Sequence, residues 1–258
     1  MRLLVLLAAI AMPLVAWLSN TGTFGPDNGT ISDRYPTLLV AAGYAFSIWG
    51  LIFLLDLAYA AWQTTGERKR DATLGRVAPW AAAGFALTTI WMPLFSLEQF
   101  WLCLLVIFGA MACLVRCAWL LSNDAAPVAG QRLWAWAPLS LHAGWLSLAA
   151  FLNLAQVVVA YELLSTAQQL PWSLVLFALA AAALLVVNQR MRGNVVYVAA
   201  ALWALAAVYV KQSSHALEGA QVAAWVALGI AAVLAVQTLV LRFAPSKRGL
   251  AGGRRTAG

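Results

Sequence analysis

Eight apolar runs, most close to the roughly 20 residues that a helix needs to cross a bilayer, constrain this chain more than any other feature. Lipid accepts backbone only where its hydrogen bonds close internally, so such runs fold as helices or not at all. They predict an all-α integral membrane protein with eight transmembrane helices, over residues 3–19, 37–62, 77–95, 97–121, 134–161, 172–187, 195–210 and 220–243. Composition agrees, with 64% hydrophobic and only 10% charged residues and a mean hydropathy of +0.83. Helix-length runs exclude an outer-membrane barrel. The first run, with Arg2 before it and small polar residues after it, also has the outline of a signal peptide. The alternation of loop charge closes better with it retained as a span.

The net charge of +7 sits in short connectors and in the tail. Arg68, Lys69, Arg70 and Arg76 follow the second run, Arg190 and Arg192 bracket the turn after the sixth, and Lys247, Arg248, Arg254 and Arg255 close the chain. The excess of Lys and Arg on cytoplasmic loops then puts both termini in the cytoplasm of a bacterial inner-membrane protein. Residues 244–258 read as a basic, disordered cytoplasmic tail, and Arg34 and Lys211 are isolated exceptions on the outer side. The charge is therefore topology rather than nucleic-acid binding; membrane lipids are the expected surroundings and a homodimer is possible. Cys103, Cys113 and Cys117 share one apolar run with no His or acid at ligand spacing, so no metal is expected.

The fifth run carries an unusual stripe. At about 100° per residue His142, Ala149, Asn153 and Gln156 fall within a narrow arc, with Trp145 beside it. That is the inner wall of a bundle or of a pocket. His142 suits a helix-packing hydrogen bond or a pocket-wall donor; as an axial haem ligand it lacks a partner, since His215 falls in an outer connector. Trp17, Trp62, Trp80 and Trp172 lie near run ends and read as interfacial residues. Asp56 and Arg116 lie at matching depth from the inner ends of their runs, which makes them candidates for a structural ion pair, against independent snorkelling. There is no glycine-rich phosphate loop, nucleophile elbow or pair of membrane carboxylates, so no catalytic residue, resident cofactor or enzymatic activity is assigned.

Three blocks carry a resemblance. Phe46-Ser47-Ile48-Trp49 with Phe53, the run from Ala86 through Trp91 to Phe95, and the run from Trp145 to Asn153 occur in the order found in the tryptophan-rich sensory protein family. That family is also called the translocator protein or peripheral-type benzodiazepine receptor family. The resemblance implies a five-helix ligand-binding bundle over residues 1–161, followed by a three-helix membrane extension, 162–243, like that of a longer bacterial subgroup. This sequence departs from the family pattern at Thr88, where Asn is usual, at Phe53, where Tyr is usual, and at Leu141-His142, where Pro-Tyr is usual; the nearest proline is Pro138.

The resemblance further implies a flat hydrophobic ligand, such as a porphyrin or a sterol-like molecule, held in a sensory, regulatory or sequestering role. The ligand set it implies, joined to the fifth-run stripe, is Trp49, Phe53, Thr88, Trp91, Trp145, Asn153 and His142. The connector 20–36 is long enough to close over them as a lid. Asn153 lies about 16 Å further along the helix than His142, so Asn153 is expected to meet the ligand and His142 to mark the floor or lie below it. The alternative is a transporter or a lipid- or isoprenoid-handling protein in which the last three helices complete a path.

Overall fold

The computed structural model describes residues 1–214 and 216–243, with Glu67 described by its backbone alone. The expected tail and His215 lie outside the described residues. The chain forms α1 (Arg2–Asn20), a short α2 (Asn28–Arg34), α3 (Ile48–Trp62), α4 (Ala72–Ser96), α5 (Phe100–Ser122), α6 (Ala137–Ala160), α7 (Leu170–Arg190), α8 (Val195–Ser213) and α9 (Ala220–Phe243). All but α2 belong to segments long and apolar enough to span a membrane. They run alternately up and down, so Met1 and Phe243 share one end of the bundle with the basic connectors. The opposite end carries α2 and is called the lid end below.

Local chemistry sets the helix limits. Asp71 caps α4 by accepting from Leu74 N at 2.7 Å, which starts that helix ahead of its apolar run. At its other end Glu98 takes a left-handed backbone (φ 56°), and the N–H of Gln99 closes on the Leu94 carbonyl, so α5 cannot begin before Phe100. Asn194 caps α8 through Val196 N and Tyr197 N, and Pro171 occupies the first turn of α7.

The centre of the molecule is α6, whose apolar stretch is 78% buried against 22% for α1 and for α9. It packs between α5 and α8. Gly144 allows the second contact: a Cβ there would collide with the Tyr197 carbonyl oxygen and lie 3.0 Å from the Ala200 Cβ. Ala200, Ala201, Ala204 and Ala207 give α8 a buried small-residue face, the usual way for helices to approach where lipid removes the hydrophobic drive. Polar contacts tie the same layer: Asn194 Nδ2 donates to Ser140 Oγ at 2.7 Å, and Asn188 Nδ2 in α7 donates to Gln237 and Thr238 of α9.

The second span differs from its expected form. Residues 37–42 are not helical, and Gly43–Ser47 is a tight 3₁₀ turn that feeds α3. The reason lies elsewhere in the chain. Gln212 Nε2 donates to the Thr37 and Val40 carbonyls at 3.0 Å each, Ala42 N donates to the Ala207 carbonyl at 2.9 Å, Trp203 Nε1 to the Ala45 carbonyl, and Gln169 Nε2 to the Pro36 carbonyl. Backbone that has left the helix thus finds its partners on α8 and at the start of α7. These helices are braces as well as neighbours.

The close approach of α6 and α8 gives a simple expectation. Gly144→Ala should lower the thermal midpoint of the detergent-solubilised protein by several degrees, since overpacking costs about 1–3 kcal/mol. Gly229→Ala, on an α9 position with nothing near its Cβ, should not lower it. Equal behaviour of the two variants would show that the α6–α8 contact is looser than described.

Candidate functional site

Trp49 stands in the first turn of α3, Trp91 near the lid end of α4 and Trp145 in the middle of α6; all three are buried. The ring centre of Trp49 lies 6.3 Å from that of Trp91, with planes 29° apart, and 5.9 Å from that of Trp145, with planes 81° apart. Phe46 meets Trp145 edge-on and Phe95 lies 4.8 Å from Trp91. The indoles therefore pack on one another and leave no slot between them. A flat molecule has to lie on the cluster, not within it.

Space of that kind exists on the lid side. A cavity of about 570 Å³, open solvent included, is floored by Trp49, Trp91 and Trp145. Ala149, Leu152, Asn153 and Gln156 of α6 wall one side, and Ser32, Tyr35, Thr37, Val40 and Ala41 close the other. The lid is thus α2 together with the non-helical stretch after it, and extends beyond the expected 20–36. Asp27 caps α2, accepting from Gly29 N and Thr30 N, and its bond from the Thr30 hydroxyl helps hold its carboxyl below the usual range. Glu98 in the α4–α5 turn accepts from Arg34 at 2.6 Å and from the Tyr35 hydroxyl at 2.7 Å, latching the lid down and raising the tyrosine above its usual range.

Asn153 does line the cavity, and its Oδ1 accepts from Trp91 Nε1 at 2.9 Å while its Nδ2 donates to the Ala149 carbonyl. It fixes the plane of Trp91. Gln156, which stands one turn nearer the lid, was on the polar stripe but not in the expected ligand set. Among the described residues the buried Nε1 of Trp49, Nε1 of Trp145 and Nε2 of Gln156 have no hydrogen-bond partner.

The other expected ligand residues lie outside this cavity. Phe53 stacks on Trp49 at 5.4 Å and lines a second, more polar hollow with Ser19, Asp27, Asn28 and Met92, so Trp49 and Phe46 form the partition between the two. His142 and Thr88 sit beneath the indoles. The imidazole lies edge-on to Trp49 at 5.7 Å and stacked on Phe85. Its Nδ1 is 2.7 Å from Asp56 Oδ2 and its Nε2 3.4 Å from Thr88 Oγ1. The Thr88 hydroxyl donates to the Gly84 carbonyl at 2.9 Å, so its single proton is committed to the helix and the line from Asp56 through His142 to Thr88 is a brace. His142 lies below the floor that the indoles form.

The Asp56–Arg116 pair is corrected by this geometry. Asp56 is fully buried on the inner face of α3, and its partner is His142. Arg116 points away on the exposed side of α5, its guanidinium 4.3 Å over the Trp119 ring. Counting along a helix gives depth but not direction, and Cys113, Leu114 and Cys117 occupy the inward face of α5. The same count applied to His142, about ten residues into its own run, would have added it to the candidates for Asp56.

A double-mutant cycle separates the two pairings. Asp56→Asn and His142→Gln should be non-additive in detergent unfolding by about 1–3 kcal/mol, because each leaves the other buried group short of a partner. Asp56→Asn and Arg116→Ala should simply add. The reverse pattern would restore Arg116 as the partner.

Among the described residues no group of His, Cys, Asp and Glu is placed to hold a metal ion. No curated protein and no solved structure matches the chain. One family model does: that of the TSPO-like proteins, over residues 2–240, and so through all eight spans. With this length of match, three indoles meeting from the three expected blocks, and an all-helical membrane fold, the chain belongs to the TSPO-like protein family.

Proposed function

We propose that this membrane protein binds a flat, largely apolar molecule of porphyrin-like or sterol-like outline in the lid cavity, in a sensory, regulatory or sequestering role. The single observation that carries this reading is the convergence of Trp49, Trp91 and Trp145 on the floor of one cavity that a latched segment closes. Burial of ring faces against indole supplies area and stacking. The lid end faces outward and both termini face the cytoplasm of a bacterial inner membrane. Support comes from charge: Arg68, Lys69, Arg70, Arg132, Arg190 and Arg192 gather at the other end. The two exceptions are neutralised, Arg34 by Glu98 and Lys211 by Asp33 at 2.8 Å.

The transporter alternative draws less support. It gave α7, α8 and α9 the task of completing a path, yet none of their residues lines the lid cavity, and the Asp56–His142 brace with Phe85 fills the interior beneath the indoles.

Binding of protoporphyrin dimethyl ester, followed by tryptophan quenching in nanodiscs, tests the proposal. The wild-type protein should saturate at roughly micromolar ligand. Ala149→Phe, which fills the cavity from its α6 wall, should weaken binding at least about tenfold, the loss expected when stacked area is excluded. Its thermal midpoint should stay close to wild type. Unsaturable quenching, or equal affinity in the two proteins, would remove the site.

A further inference from the structure

We infer that the lid cavity selects an uncharged flat molecule whose edge carries carbonyl-type acceptor oxygens. The inference rests on the binding reading above and narrows it to a chemical class. Three polar side chains that line the cavity present nitrogen donors without partners: Trp49, Trp145 and Gln156, with 8%, 3% and 6% of their surface exposed. Two of the acceptors nearby are already engaged. Asn153 Oδ1 holds the Trp91 indole, and Thr37 Oγ1 accepts from Leu39 N. The hydroxyl protons of Ser32 and Tyr35 are spent on the Asn28 carbonyl and on Glu98. What is left for an occupant is the N–H of Trp49 and of Trp145 and the amide of Gln156.

A buried donor left unmade costs free energy, so an occupant that supplies oxygen acceptors gains what a hydrocarbon of the same outline does not. Charge is disfavoured on both signs. Among the described residues no Lys, Arg, His, Asp or Glu lines the cavity, and Arg34, the nearest cation along the lid, is already paired with Glu98. A carboxylate or an ammonium would enter an apolar space without a counter-ion. Among the described residues the one unpartnered buried carboxylate oxygen, Oδ1 of Asp56, belongs to the brace beneath Trp49, and the residues of that brace do not line the cavity.

Three probes with one skeleton decide the matter: anthracene, anthraquinone and an anthraquinone carboxylate. Each is measured by equilibrium dialysis against protein in phosphatidylcholine nanodiscs, with empty discs subtracted and affinity expressed per mole fraction in the bilayer. Anthraquinone should bind about tenfold more tightly than either of the others, the worth of one or two net hydrogen bonds. Gln156→Leu and Trp145→Phe should each shrink the ratio of anthraquinone to anthracene affinity severalfold. Equal affinity for anthracene and anthraquinone would overturn the inference and leave the aromatic site standing. Tighter binding of the carboxylate would overturn the requirement for neutrality. Failure of all three probes to saturate would remove both this inference and the binding reading beneath it.

Discussion

Backbone that leaves a helix near lipid has to find its hydrogen bonds within the protein, and this requirement organises the rest of the structure. Between Pro36 and Ser47 the chain departs from the helix that its apolar composition would otherwise form. Without α8 the Val40 carbonyl and the Ala42 N–H would be left without a partner, at several kcal/mol apiece in hydrocarbon, and the Thr37 carbonyl would keep only the Val40 N–H at 3.3 Å. Gln212 and the Ala207 carbonyl, both on α8, meet those needs, and Gln169 and Trp203 supply the flanks. An extended wall becomes possible only because α8 stands behind it. The cavity is therefore lined by the part of the chain that holds the first five spans but shaped with the help of α8 and the start of α7.

The same logic of satisfied polar groups divides the interior into a floor and a binding surface. Asp56, His142 and Thr88 are buried together, linked to one another and to the helix backbone, and are overlaid by Trp49. They fix the positions of α3, α4 and α6 beneath the indoles. Asn153 does the equivalent above, holding Trp91 in place. On the binding reading proposed above, the donors of Trp49, Trp145 and Gln156 are left for an occupant, so rigidity and recognition fall to different residues of one layer.

Much of this was legible in the sequence because apolar length and loop charge are direct physical signals. The start of the last span at Ala220 was placed where α9 begins, and the meeting of Trp49, Trp91 and Trp145 followed from three blocks in family order. Capping moved the start of α4, since Asp71 lies outside the apolar run that marked it. Other features depended on partners distant in the chain. Nothing between residues 37 and 47 shows that residues 203, 207 and 212 will take its backbone groups, so an unbroken apolar run read as an unbroken helix. The Asp56 partner was missed for a related reason: depth along a helix is counted from its end, whereas direction depends on which neighbours occupy each face. The part played by α8 and the start of α7 could not be read either, because Gln169 and Gln212 look like ordinary helix-end polar residues.

Amide hydrogen exchange in lipid nanodiscs, resolved at Ala42 and its neighbours, tests the bracing of the wall most directly. The Ala42 amide should be protected to a degree similar to the first turn of α3 in the wild-type protein. Gln212→Leu should speed exchange across residues 37–47 and leave the centres of α4 and α6 unchanged. Free exchange of Ala42 in the wild-type protein, or protection indifferent to Gln212, would contradict the claim that α8 holds the cavity wall.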